Sequence, residues 1–279
     1  PPSINMSIYG ALTNTSVGRL YAAGVIPGLL LTGLFMAVVV VACWMNPALA
    51  GAKLPPAPMM DRLRRLVDLL PPTVLFVVVM GSIYLGWATP TESAALGVVF
   101  ALLLVIAYGK FSWAMLHECF VTTVSVTAMI MLIAAAAFYL NFVLGLMGVP
   151  QALANFASQL GTSPLVMLLV LTVFYLILGC FLDALAMIIG TIPIVFPLVT
   201  ALGIDPVWFG IYLVVMAELA LITPPVGMNL YVVQGIRKEG LITDVIMGTL
   251  PFLFMMLLLV VLLVVWPDLA LWLPRVSFG

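Results

Sequence analysis

The sequence predicts an all-α polytopic membrane protein. Of its 279 residues, 65% are hydrophobic and only 7% are charged, whereas an ordinary soluble domain is about a quarter charged. The apolar residues gather in runs of about twenty, the length a helix needs to cross a hydrocarbon core of ~30 Å. One such run, 207–233, carries two adjacent prolines and a glycine in its middle: Glu218-Leu-Ala-Leu-Ile-Thr223-Pro224-Pro225-Val-Gly227-Met-Asn229-Leu-Tyr231.

The elements follow in order. Residues 1–18 are mildly apolar, and 20–45 form a strong span. A Pro-, Ala- and Gly-rich loop from Asn46 to Pro58 leads to 59–70, where Met59, Leu63, Leu66, Val67 and Leu70 share one helical face and Asp61, Arg62, Arg64, Arg65 and Asp68 the other. That period suits a helix lying along the membrane surface. Residues 72–88 and 92–108 read as two short spans around Thr89-Pro90-Thr91-Glu92, where Thr91 and Glu92 suit a helix start. Residues 110–119 read as a second interfacial helix and 121–147 as a span containing Asn141, with a polar connection over 148–162.

Residues 163–200 form two apolar arms around Gly179-Cys180-Phe181-Leu182-Asp183, the second arm carrying Gly190, Pro193 and Pro197. Each arm is near the lower length limit for a full crossing. A re-entrant hairpin fits as well as two crossings. The interrupted run at 207–235 ends with Arg237-Lys238-Glu239, and 246–266 is the last strong span, closed by Trp266-Pro267-Asp268. Positive charge marks the cytoplasmic side, which places Lys53, Arg62, Arg64, Arg65, Lys110, Arg237 and Lys238 there. Parity then requires 163–200 to enter and leave on one side, so the charge rule and the hairpin reading support each other.

Several function classes are disfavoured. Net charge is −1, which leaves no basic surface for nucleic acid. Cys43, Cys119 and Cys180 have no metal-ligand spacing, and the single histidine, His117, falls in a polar patch between spans. No signal-peptide pattern occurs. A chain opening on Pro1-Pro2-Ser3 without a methionine is expected to be a fragment lacking its N-terminal part.

Proline removes a backbone donor and clashes with the preceding turn, and it pushes the residue before it out of the helical region. The helix should therefore break near Thr223 and resume near Met228. At bilayer depth, unwound backbone is tolerated only beside protein or a watery cavity, and transporters bind ions and substrate at such breaks. The carbonyls of Leu221, Ile222 and Thr223 and the side chains of Thr223 and Asn229 are oxygen donors suited to a hard cation. A kink used only for packing is the competing reading. A second copy favours the first: Pro1-Pro2 followed by Met6-Ser7-Ile8-Tyr9 repeats Pro224-Pro225 followed by Met228-Asn229-Leu230-Tyr231 with one residue more between. The copies exit on opposite sides by the charge count, as in an inverted-topology repeat.

Taken together, the motifs resemble the large membrane subunit (DctM type) of tripartite ATP-independent periplasmic (TRAP) transporters. They are Pro1-Pro2-Ser3 with Tyr9-Gly10, Gly86-Trp-Ala-Thr89-Pro90-Thr91-Glu92-Ser-Ala-Ala-Leu-Gly97, and Gly179-Cys-Phe-Leu-Asp183-Ala-Leu-Ala-Met187 with Pro193 and Pro197. Asp205-Pro206-Val-Trp208-Phe209-Gly210 and Ile222-Thr223-Pro224-Pro225-Val-Gly227 complete the set. They recur in family order along nearly the whole chain; the family's first half, with its first hairpin, is absent, so this segment alone is not expected to transport.

The resemblance implies an inverted-repeat secondary transporter of the ion-transporter superfamily, moving as an elevator in the bacterial inner membrane. It implies a small membrane subunit (DctQ type), separate or fused, and a periplasmic substrate-binding protein (DctP type). It also implies sodium as the coupling ion with no further cofactor, and carboxylate substrates of the C4-dicarboxylate or sialic acid type. The division expected is 1–18 as the second half of a broken helix, 19–120 as scaffold spans and arm helices, and 121–162 as a scaffold span and connection. Residues 163–240 are then the transport domain and 241–279 the C-terminal span.

The expected sodium-site residues are Ser3 and Asn5 at the first break, Thr223, Gly227 and Asn229 at the second, and Gly179 with Asp183 at the hairpin. Asp183 could equally cap the second arm. Glu218, one turn before Thr223, is a further candidate as a coupling carboxylate. No Lys or Arg lies deep in these segments, so the helix start at Met228, with Asn229 and Pro225, is the expected contact for a substrate carboxylate. Two other readings stand beside this one. A standalone carboxylate or ion antiporter of the same superfamily would lack the binding protein. An intramembrane enzyme would need a second aspartate facing Asp183, a base paired with serine, or several zinc ligands, none of which the sequence offers.

Overall fold

The computed structural model describes residues 3–50, 58–149, 151–152, 155, 163–225, 227–237 and 240–278, with only the backbone of 48, 50, 62–65 and 141. Pro1, Pro2, Lys53, Lys238, the side chains of Arg62, Arg64, Arg65 and Asn141, and most of the 148–162 connection lie outside the described residues. Every regular element described is helical. Five helical stretches are long and apolar enough to cross a membrane: Val17–Met45, Pro90–Ala107, Trp113–Leu146, Ala184–Ala201 and Ile242–Val265. The protein is a multi-pass helical membrane protein.

The chain divides into two compact units, residues 1–41 with 131–279, and residues 42–130. The second unit contains α4 (Met59–Val67), α5 (Leu70–Tyr84) and α6 (Pro90–Ala107). Helices α5 and α6 pack as a hairpin, tied by Ser82 Oγ and Ser93 Oγ at 2.8 Å. Thr89 and Glu92 form a reciprocal cap at the turn. The Glu92 carboxylate accepts the Thr89 N–H at 2.8 Å, and Thr89 Oγ1 accepts the Glu92 N–H at 3.4 Å. This satisfies two amides that the first turn of α6 would otherwise leave open.

Residues 110–119 and 121–147 were expected as two elements. They are one helix, α7 (Trp113–Leu146), of 34 residues. No proline interrupts that stretch and its only glycine is Gly145, so nothing stops hydrogen-bond propagation across Glu118 and Cys119. At ~1.5 Å per residue a helix of this length spans about 51 Å, well beyond a ~30 Å hydrocarbon core.

The first unit is built around α10 (Pro206–Ile222), in which every residue from Val207 to Ala220 except Glu218 is buried. A helix that is apolar on all faces belongs at the centre of a bundle. Asp205 starts it, accepting the N–H groups of Val207 and Trp208 at 2.8 and 3.0 Å, with Pro206 in the first turn. Around it pack α1 (Ile4–Thr13), α2 (Val17–Ala23), α8 (Pro164–Gly179), α9 (Ala184–Ala201), α11 (Met228–Arg237), α12 (Ile242–Val265) and α13 (Asp268–Phe278). Helix α3 (Val25–Met45) continues from α2 through Gly24. The closing helix α13 lies beyond the last span read from hydropathy and carries its own ion pair, Asp268 with Arg275 at 2.6 Å.

Tyrosines lock this core. Tyr9, fully buried, donates to the Pro206 carbonyl at 2.6 Å and lies under Gly210, where a β-carbon would come within 2.7 Å of its ring. Tyr175 of α8 meets Thr191 of α9 at 2.9 Å, and Tyr212 of α10 meets Thr172 of α8 at 2.9 Å. The hydroxyls of Tyr9, Tyr175 and Tyr212 thus each have a partner, as burial requires.

Candidate functional site

The central helix breaks where the prolines demand. Helix α10 ends at Ile222, Thr223 is extended with ψ 123°, and α11 begins at Met228. The Pro224–Pro225 peptide is cis. Prolines 224 and 225 have no N–H to offer Ala220 and Leu221, the residues four back. Ala220 recovers a bond by accepting the Thr223 N–H at 3.2 Å. The Thr223 carbonyl, expected to be free, accepts the Gly227 N–H at 3.1 Å, because the chain doubles back through the turn. A β-carbon on Gly227 would lie 2.9 Å from that same carbonyl oxygen, so the turn closes only around glycine.

The hairpin tip lies against this break. Helices α8 and α9 are joined by Cys180-Phe-Leu-Asp183. A β-carbon on Gly179 would fall 2.9 Å from Cα of Ala220 and closer still to its β-carbon, so the first arm ends flush on α10. The next residue, Cys180, places its thiol 3.2 Å from the Pro224 carbonyl and 3.2 Å from the Leu176 carbonyl of its own arm, so the two share its single proton. Sequence reasoning did not single out Cys180; its place after Gly179 in the turn was the available signal. Asp183 Oδ1 accepts the Ala186 N–H at 2.7 Å and so caps α9.

The sequence-predicted residues fall into three groups. Gly179, Thr223 and Gly227 belong to the junction of hairpin tip and break, with Asp183 on the far side of the tip turn. Ser3 and Asn5 sit at the start of α1, which packs on α9 and α10. Asn5 donates Nδ2 to Glu218 Oε1 at 3.2 Å, and Ser3 and Glu218 line one pocket of about 220 Å³ whose other walls are apolar. Pro225, Met228 and Asn229 form a third group, exposed on the outer side of the turn, with Tyr231 reaching back to the Pro225 carbonyl at 3.4 Å.

The donor set at the junction is oxygen-rich and carries no cluster of acids. Thr223 Oγ1 gives its proton to the Leu219 carbonyl at 2.7 Å, which leaves its lone pairs to face outward. Carbonyl and hydroxyl oxygens fit a hard alkali ion. Among the described residues, no group of three or more His, Cys, Asp or Glu is placed to hold a metal.

A broken helix abutting a hairpin tip is an arrangement at which secondary transporters bind ions and substrate. The sequence model described as "Tripartite ATP-independent periplasmic transporter, DctM component" matches residues 1–269, and the chain belongs to that family. It is 37% identical over 279 residues to the C4-dicarboxylate TRAP transporter large permease protein of Pseudomonas aeruginosa, covering 99% of this chain and 64% of that protein. It is 32% identical over 280 residues to the sialic acid TRAP transporter large permease protein of Vibrio cholerae, covering 100% of this chain and 65% of that one. The ectoine/5-hydroxyectoine TRAP transporter large permease protein of Ruegeria pomeroyi is 31% identical over 281 residues, with 100% and 64% covered. The chain thus spans slightly less than two thirds of the length of these curated relatives.

Proposed function

We propose that this chain is the permease portion of a sodium-coupled, binding-protein-dependent secondary transporter that imports carboxylates across the bacterial inner membrane. The observation that carries the reading is the junction of the α8–α9 tip with the broken helix, through Gly179 on Ala220 and Cys180 on Pro224. A cation seated among the Thr223 hydroxyl and the unwound carbonyls would stabilise one position of the tip. Ion occupancy would thereby be tied to whether the site is closed. The first arm of the hairpin, 16 residues, reaches about 24 Å at 1.5 Å per residue, short of a full ~30 Å crossing. This suits a re-entrant hairpin that travels with the substrate in an elevator movement.

The partners in this reading are a small membrane subunit of DctQ type and a soluble periplasmic binding protein of DctP type. The carboxylate would be held at the start of α11, where Met228 and Asn229 are exposed and a helix N-terminus favours an anion. The relatives' names supply the substrate range from which C4-dicarboxylates and sialic acid are taken. The test is uptake by the full-length permease with its small subunit and binding protein in proteoliposomes. Labelled carboxylate should accumulate when sodium is imposed outside, and only with the binding protein present. Equal uptake with potassium replacing sodium, or without the binding protein, would overturn the reading.

A further inference from the structure

We propose that the hydrogen bond between Asn5 and Glu218 couples the start of α1 to the helix that leads into the Pro224-Pro225 break, so that cation binding at one sets the geometry of the other. The proposal rests on the sodium-coupled reading above and assigns a positioning role to Glu218.

The two residues are 213 apart in the chain, yet Asn5 Nδ2 lies 3.2 Å from Glu218 Oε1. Asn5 is 8% exposed and occupies the first turn of α1, three residues after Pro2. Glu218 lies five residues before Thr223, on the helix that the second proline pair ends. It is the only charged side chain in α10. A carboxylate within an apolar membrane helix is costly unless it has a partner and a task. Its pocket offers Met6, Pro27, Leu31, Val214 and Met256, with Ser3 as the other polar wall. No basic group lines that pocket, and the described ion pairs are Arg237 with Asp244 and Arg275 with Asp268. The Asn5 amide is the side-chain partner described for a carboxyl group that is itself exposed at the pocket.

A hydrogen bond to a carboxyl oxygen is directional. Ser3 caps α1 by position but has no side-chain capping bond, so its hydroxyl is available for a ligand at the start of α1. A cation there would shift the first turn of α1, carry Asn5 with it, and move Glu218 on the helix leading to Thr223. Linkage makes the effect reciprocal.

The experiment measures sodium dependence of uptake by the full-length permease with its small subunit and binding protein in proteoliposomes. Wild type should show a Hill coefficient above one. Asn5→Leu and Glu218→Ala should each bring it toward one and raise half-saturating sodium by about fivefold or more. The double variant should be no worse than either single one, because both remove the same bond. Glu218→Gln keeps an accepting oxygen and should retain most of the cooperativity; it also serves if the alanine variant does not fold. An unchanged sodium curve in Glu218→Ala, additive defects in the double variant, or loss in Glu218→Gln equal to that in Glu218→Ala would overturn the coupling role. Wild-type uptake indifferent to sodium would instead remove the reading beneath it.

Discussion

Gly179 and Ala220 meet without room for one more carbon: a β-carbon on Gly179 would stand 2.9 Å from Cα of Ala220. The hairpin and the broken helix therefore touch through backbone, and the tip reaches Pro224 only because of this approach. Gly179→Ala should destabilise the detergent-solubilised protein by about 1–3 kcal/mol, the usual effect of overpacking. Thermal unfolding reads the effect. Ala220→Gly in the same chain should recover much of it, since the two positions share one contact. An unshifted midpoint in Gly179→Ala would show that the arm and α10 do not lie this close.

Thr223 keeps its hydroxyl proton on Leu219 and presents lone pairs at the break. Thr223→Val preserves shape and removes the oxygen. It should raise half-saturating sodium roughly tenfold, equivalent to ~1.4 kcal/mol, while Thr223→Ser should stay near wild type. A sodium curve unaffected by Thr223→Val would place the cation elsewhere.

Asp183 is engaged as a helix cap through the Ala186 N–H. Asparagine caps as well as aspartate, so Asp183→Asn should fold normally and keep sodium-dependent uptake if capping is the whole role. Asp183→Ala should lose about 0.5–2 kcal/mol of stability. Normal stability but lost sodium dependence in Asp183→Asn would reveal a charge role beyond the cap.

The Cys180 thiol lies between the Pro224 and Leu176 carbonyls, each at 3.2 Å, where tip and break meet. Alkylation of Cys180 should block uptake, and saturating sodium should slow the alkylation by holding the tip down. Cys180→Ser, which keeps a donor, should transport and resist the reagent. Equal labelling rates with and without sodium would argue against a cation-dependent tip.

At the turn between α5 and α6, Thr89→Ala removes the acceptor for the Glu92 amide. The expected loss is about 0.5–2 kcal/mol, with Thr89→Ser close to wild type. Stability against heating distinguishes them, and sodium dependence should be the same in both.

What could be read from residues alone were features that depend on chain-local chemistry. Apolar runs announced the helices, Thr89-Pro90-Thr91-Glu92 announced a helix start, and Pro224-Pro225 announced a break, because a missing N–H acts within one turn of itself. The same locality explains the failure at α7: polar residues around Glu118 suggested a boundary, but polarity does not interrupt a helix as proline does. The fold decided everything that joins distant segments. Thr223 and Gly227 closing their own turn, Cys180 meeting Pro224 across 44 residues and Asn5 meeting Glu218 across 213 depend on how buried helices pack. A sequence records where a helix must stop, while the partner that fills the resulting gap is chosen by side-chain volume at contacts such as Gly179 on Ala220.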